Sequence, residues 1–335
     1  MSASRRAAQL LLVGVDATGP ASAGGGLARL GVGGVFLRGR VAGSSSLAGS
    51  IALVQRAARR AGTPTLLVAA DEEGGAVQTV RGGTIPPFPT ALVQGTWSTL
   101  RLRTQTASWA RALGRLGVNL DLAPVADVVS SSLGSHNPPI GRYDREYGHT
   151  PARVSGPVAT VAAALRAGGV GPTVKHFPGL GRVLVNTDTG TGATDSVMTS
   201  TDSYLQPFTV GMKAGAVAVM VSSALYPRLD RGHPAMWSPA IVTGLLRTKL
   251  GWSGMVVSDD LGAAAAARVL PVGRRATDFI AAGGDLALTV QPAQATTMRD
   301  AIAVRAASDR TFRTRVADAV SHVLAAKQAL GLLHC

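Results

Sequence analysis

The chain has a single cysteine in 335 residues, and it is the last one, Cys335. A lone thiol excludes an intrachain disulfide and a cysteine-based metal site, so redox chemistry does not decide the compartment. Aromatic residues are scarce at 4%, whereas hydrophobic residues reach 46%. A core must therefore be built from Ala, Val and Leu, which suits the Val-rich buried strands of a parallel α/β protein. Charged residues make up only 16%, too few for a chain that stays disordered. No apolar run reaches the length of a membrane span. The N-terminal residues Met1–Arg6 lead directly into a short apolar run, Gln9–Val15, which reads as a strand and not as a signal peptide. A cytoplasmic location is expected, or an exported one if a segment precedes this chain. The one excess is positive charge, +14, carried almost wholly by arginine. The arginines are scattered (Arg5, Arg6, Arg59, Arg60, Arg101, Arg103, Arg111, Arg115), without a groove-reading motif, so no nucleic-acid partner is expected. A solvated basic surface, compatible with polyanionic surroundings, accounts for them.

Eight apolar runs have the length and composition of strands: Gln9–Val15, Gly31–Leu37, Thr65–Ala70, Val118–Ala123, Gly171–His176, Ala216–Ser222, Gly254–Ser258 and Asp285–Val290. Between them lie Ala-, Leu- and Arg-rich segments with helical spacing, among them Leu47–Ala61, Thr104–Leu116, Pro151–Ala167, Tyr204–Ala214 and Pro239–Leu250. Strand and helix alternate throughout, which predicts a parallel sheet. Eight such units match a single (β/α)8 TIM-like barrel spanning 1–335, with an open doubly wound sheet as the alternative. Closing helices are expected from about 293 to 333, centred on Asp309–Leu333.

Chemistry gathers just after the strands. The third is followed by Asp71-Glu-Glu-Gly-Gly75 and the fourth by Pro124-Val-Ala-Asp127. The fifth ends in Lys175-His176, the sixth in Ser222-Ser223 and the seventh in Ser258-Asp259-Asp260. A single acid after a strand is usually a helix cap. Polar groups at five successive strand ends instead converge on one barrel face. Pro178, Gly179 and Gly181 break the backbone after Lys175-His176 into a loop. His136, His149 and His233 have no metal-ligand spacing and are read as surface or loop residues; no metal and no cofactor are expected.

These blocks resemble glycoside hydrolase family 3, in its β-N-acetylglucosaminidase branch. The resemblance rests on Asp71–Gln78, Gly117–Asp127, Ile140-Gly141 with Arg145-Glu-Tyr-Gly148, Lys175-His-Phe-Pro-Gly179, Val221–Asp230 and Leu245–Leu261. It implies a barrel and a retaining mechanism with an aspartate nucleophile at the end of the seventh strand, which falls on Asp259. It also implies that Asp71, Arg145, Lys175 and His176 hold the sugar hydroxyls. Asp260 is then a cap or an orienting group. A carboxylate fixed at a strand end suits attack on an anomeric carbon, because a covalent intermediate splits one hard step into two easier ones. The partner implied is a carbohydrate with terminal β-linked N-acetylglucosamine, such as a peptidoglycan fragment. A β-glucosidase of the same family and a sugar-binding homologue without turnover are the alternatives.

The chain departs from the branch in one loop. Where the branch has Gly-His-Gly this chain has Gly179-Leu180-Gly181, and where it ends in Asp-Ser-His this chain has Asn186-Thr187-Asp188. The resemblance would place the acid/base on that terminal histidine, so Asp188 is the candidate acid/base here, with Asn186 as its expected hydrogen-bond donor and Asp195 next in line. Like-charge repulsion from Asp259 and burial under the loop should both raise the pKa of Asp188.

Overall fold

The computed structural model describes residues 1–333, so Cys335 lies outside the described residues. The eight expected strands are present as Leu11–Asp16, Gly34–Arg38, Leu67–Ala70, Leu120–Asp121, Gly171–Phe177, Ala218–Val221, Met255–Ser258 and Ala287–Thr289. Each pairs in parallel with its neighbours in sequence order. The first also pairs with the eighth through Leu11↔Ala287. A parallel bridge between Val257 and Leu286 joins the seventh to the eighth, with the Ser258 amide donating to the Leu286 carbonyl at 3.1 Å. The sheet is therefore a nearly closed barrel and not an open sheet. The strands are buried on both faces, the outer by helices and the inner by each other, which is why they read as unbroken apolar runs. Each fully buried Val or Leu is worth about 1.5–3 kcal/mol relative to exposure.

Two strands differ from their apolar runs. The run read as a strand from Gln9 starts instead as a helix, Ala3–Gln9, and the strand begins at Leu11. Ser2 caps that helix, its Oγ accepting from the Arg5 amide at 3.3 Å. Ala, Arg and Gln are strong helix formers, so local propensity outweighs the apolar pattern there. The fourth strand keeps only Leu120–Asp121 of Val118–Ala123. Pro124 lacks an amide proton, and the chain continues as an irregular segment tied to the fifth strand by the Val125–Lys175 bridge and by the Thr173 amide, which donates to the Ala123 carbonyl at 2.8 Å.

The helices follow the expected spacing. In Ser45–Arg60, Leu47, Ile51, Val54 and Ala58 form the buried stripe, and Ser44 caps the first turn through the Leu47 amide at 3.2 Å. The segment Pro239–Leu250 is helical over Ala240–Lys249 but wide-turned, with the Leu250 amide bonding back five residues to Leu245. The helix Gln206–Lys213 is locked to the fifth strand by Phe208, whose ring meets Phe177 edge-on at 5.5 Å. Two helices, Ala295–Ser308 and Arg310–Ala329, end the described chain, with Asp309 capping the second. No helix among the described residues is long and apolar enough to cross a membrane.

Candidate active site

A cavity of about 340 Å³ opens at the C-terminal ends of the strands. It is lined by Asp71, Arg145, Lys175, His176, Asn186, Asp188, Asp259 and Asp260, with Phe36, Leu122, Met220 and Leu288 as apolar walls. All eight residues singled out in the sequence thus meet in one place, although they come from three strand ends and two loops.

The floor is an ion-pair network. Lys175, 2% exposed at the end of the fifth strand, reaches Asp71 Oδ1 at 2.6 Å and Glu73 Oε1 at 2.5 Å. Arg145 grips Glu73 in a fork, Nε to Oε2 and Nη2 to Oε1, both at 2.8 Å. Burial would lift the Glu73 carboxyl, but Arg145 and Lys175 outweigh it and hold the group at about 2. Burial likewise acts against the Lys175 charge, yet Asp71 and Glu73 raise its pKa above the usual lysine range. Both charges are thus fixed without titration near neutral pH. Arg145 also donates to the Pro139 carbonyl at 2.8 Å. Its guanidinium is largely spent inside the protein, so it braces Glu73 and His176 more than it reaches into the cavity.

His176 is oriented from behind. Its Nδ1 lies 2.7 Å from Asp127 Oδ2, which can only accept, so Nδ1 carries the proton. Nε2 then accepts from Arg145 Nη2 at 3.3 Å. The other oxygen of Asp127 accepts from the Leu180 amide at 2.7 Å, tying the loop after the fifth strand to the same carboxylate. Gly181 is required in that loop: a Cβ there would sit 1.8 Å from the Val128 carbonyl oxygen. Asn137 holds the Leu180 and Val183 carbonyls at 2.9 and 2.8 Å, and Tyr226 donates to the Gly179 carbonyl at 2.8 Å.

At the seventh strand end the two aspartates have different surroundings. Asp259 faces the cavity, with Oδ2 accepting from Ser223 Oγ at 3.2 Å and Oδ1 from the Asp260 amide at 2.9 Å. Asp260 accepts from the amides of Gly262, Ala263, Ala264 and Val290 at 2.7–3.1 Å. It is a backbone cap that shapes the turn, whereas Asp259 accepts one bond on each oxygen and faces the cavity.

Asp188 stands at the rim on the far end of the loop. The carbonyls of Thr187 and Asp188 accept from Ala266 and Ala265 at 3.2 and 3.0 Å, fastening this stretch to the turn that follows Asp259. Solvent reaches the residue, but the surrounding walls thin the water around its carboxyl. That burial, and then the neighbouring Asp259 charge, raise its pKa to about 6. Both expected causes operate, burial being the larger.

Two expectations are corrected. Asn186 does not donate to the Asp188 carboxyl; its Oδ1 accepts from the Asp188 amide at 2.9 Å, a local turn that aims the residue. Asp195 does not line the cavity. It is 2% exposed, caps the Val197 and Met198 amides at 2.8 and 3.0 Å, and faces Arg182 at 3.6 Å. His136 and His233 are exposed and His149 is half-buried against the Val129 carbonyl, all outside the cavity lining.

Three supporting residues escaped the sequence reading: Glu73, Asp127 and Ser223. A signal existed for the first. Two cations expected at one site need buried counter-charges, and Glu73 lies two residues beyond Asp71, on the same side of an extended segment. Asp127 and Ser223 were visible only as strand-end polar residues.

Comparison with known proteins gives the family and the fold. The model of the glycosyl hydrolase family 3 N-terminal domain matches residues 4–326. A β-hexosaminidase of Xanthomonas oryzae pv. oryzae is 33% identical over 268 residues, covering 78% of this chain and 77% of that protein. The crystal structure of a β-N-acetylhexosaminidase from Beutenbergia cavernae superposes with a TM-score of 0.95 at 40% identity, covering 98% of this chain and 99% of the other. A family 3 glycosyl hydrolase from Mycobacterium smegmatis does so with a TM-score of 0.85 at 29% identity, covering 97% of each chain.

Proposed function

The chain belongs to glycoside hydrolase family 3, and from that premise we propose that it is a retaining β-N-acetylhexosaminidase in which Asp259 is the nucleophile and Asp188 the acid/base. The observation that carries the assignment is the meeting of these two carboxyls in one cavity, with that of Asp188 raised to about 6. Asp71, Lys175 and His176 hold the sugar ring through directional hydrogen bonds to its hydroxyls. Asp259 attacks the anomeric carbon as the glycosidic C–O bond breaks, and the proton on Asp188 passes to the departing oxygen. Asp188, now ionised, takes a proton from water, whose oxygen attacks the anomeric carbon and releases Asp259. Net, one water is consumed and both carboxyls return to their starting states. Burial, and then the neighbouring Asp259 charge, favour the protonated form of Asp188 that a general acid needs.

The N-acetyl preference rests on the names of the relatives, β-hexosaminidase and β-N-acetylhexosaminidase. Glycans or peptidoglycan fragments ending in β-linked N-acetylglucosamine are the proposed substrates. The retained Asp259 and the raised acid argue against a sugar-binding protein without turnover. The test is a panel of aryl β-glycosides followed by inactivation with a 5-fluoro glycosyl fluoride. Hydrolysis of the N-acetylglucosaminide ahead of the glucoside, with the label on Asp259, is expected. A label on another carboxyl overturns the nucleophile assignment, and preference for the glucoside overturns the substrate.

A further inference from the structure

The positive charge of this protein is unevenly placed. The six barrel helices from Pro20 to Lys249 (Pro20–Leu30, Ser45–Arg60, Thr99–Leu116, Pro151–Ala167, Gln206–Lys213 and Ala240–Lys249) contain no carboxylate. The next three carry Asp278, Asp300 and Asp318. Between residues 17 and 187 the acids are Asp71, Glu72, Glu73, Asp121, Asp127, Asp144 and Glu146. Of these only Asp144 is an exposed surface group; the others are buried or belong to the cavity. Among these six, arginine is most numerous on the neighbouring helices Ser45–Arg60 and Thr99–Leu116, which pack against each other. Arg56, Arg59, Arg60, Arg103, Arg111 and Arg115 on this pair are all exposed. Arg59 and Arg115 line the same groove between the helices.

None of the six is neutralised. Among the described residues, the arginines found in ion pairs are Arg145 and those after it in sequence: Arg182, Arg247, Arg274, Arg299, Arg305 and Arg315. Arg56 with Arg60, and Arg111 with Arg115, stand one helical turn apart, a like-charge spacing that weakens a helix. Solvation alone gives no reason to exclude every carboxylate from six helices, because a single acid one turn away would relieve each pair. A polyanion laid across them relieves all at once.

We propose that this carboxylate-free side of the barrel is a docking surface for a flexible polyanion, a chain carrying phosphate or carboxylate groups along its length. Guanidinium forks suit both groups. The helices form a convex wall, of which a flat membrane touches only a strip while a flexible chain follows the curve. The face presents no platform for stacked bases: Trp97 beside it is only partly exposed and is covered by the Arg101 guanidinium, 4.1 Å from its ring centre. The surface lies on the outer wall and the catalytic cavity at the strand ends, so docking leaves the cavity free.

The test is fluorescence anisotropy of labelled linear inorganic polyphosphate with the full chain, across a salt series. Tight binding at low salt that weakens steeply with added salt is expected. Replacing Arg56, Arg60 and Arg111 together by Glu should weaken it at least about tenfold and flatten the salt slope. Replacing Arg228, Arg231 and Arg310 together by Glu changes net charge equally and should weaken it by less than about threefold. Turnover of an aryl glycoside should be unchanged in both triple variants, which shows that they fold. Equal losses in the two variants overturn the proposal, because binding then follows net charge alone. So does an absence of binding to polyphosphate, a preference for anionic phosphatidylglycerol vesicles, or an oligonucleotide bound far more tightly than polyphosphate of equal charge.

Discussion

Two buried acid–cation clusters stand at opposite ends of the barrel, and their difference separates function from support. At the strand ends, Lys175 and Arg145 are held by Asp71 and Glu73. At the other end, just before the eighth strand, Asp285 is held by Arg247, Arg315 and His322. The chemistry is nearly the same. The lower cluster is closed: Asp285 is fully buried, its Oδ2 accepting from Arg247 at 2.6 Å and the Val256 amide at 2.8 Å, and its Oδ1 facing Arg315 and His322. The upper cluster is open. The Asp71 side chain keeps 26% exposure and faces the cavity. A cluster with unspent hydrogen-bonding capacity can recognise a ligand, whereas one that has spent it all can only hold the fold together.

The largest expected effect is at Asp259. Asp259→Asn should lower turnover by at least about a thousandfold while sugar binding survives, because the carboxylate bonds to carbon only during reaction. Stopped-flow and binding measurements on one preparation check both halves; retained turnover would remove Asp259 from the mechanism. The comparison of clusters is next. Asp71→Asn should lower kcat/KM on the order of a hundredfold, the value of a charged hydrogen bond, with little change in melting temperature. Asp285→Asn should do the reverse, destabilising by about 3 kcal/mol or more with kcat/KM of the folded fraction unchanged. If Asp285→Asn leaves stability intact, or Asp71→Asn mainly lowers it, the open-versus-closed distinction fails.

Much of this was legible in the sequence because the fold repeats. Eight apolar runs and polar residues after five of them place Asp71, Lys175, His176, Asp259 and Asp260 on one face, without any contact being known. What was not legible depends on partners far apart in the chain. Glu73 and Arg145 are 72 residues apart and their fork exists only in three dimensions. Asp195 and Asp188 are both acids in the same loop, and only the fold turns one into a backbone cap and the other to the cavity. Asp285 in turn looks like any strand-edge acid until the final helix brings Arg315 and His322 to it.

A pH-dependent effect concerns Asp121, near Lys175. Burial raises its carboxyl to about 8 despite the opposing charge of Lys175. The folded state thus binds this proton more tightly than the unfolded chain, so its contribution to stability is full below about pH 4 and is lost as pH rises toward 8. Asp121→Asn should flatten the melting temperature between pH 5 and pH 8 relative to the parent protein; an unchanged slope assigns the dependence to another group.

In the proposed mechanism an aspartate, Asp188, does the proton transfer that the resemblance would place on a histidine. That role is tested most directly with Asp188→Ala. Aryl glycosides with poor leaving groups should slow far more than those with good ones, which depart without a proton. The fall in kcat/KM above about pH 6 should vanish, since the group whose deprotonation causes it is gone. Added azide should restore turnover of good-leaving-group substrates by attacking the glycosyl-enzyme without base assistance, giving a β-glycosyl azide. Uniform slowing across leaving groups, with the pH profile intact and no azide product, would contradict the account and place the acid elsewhere.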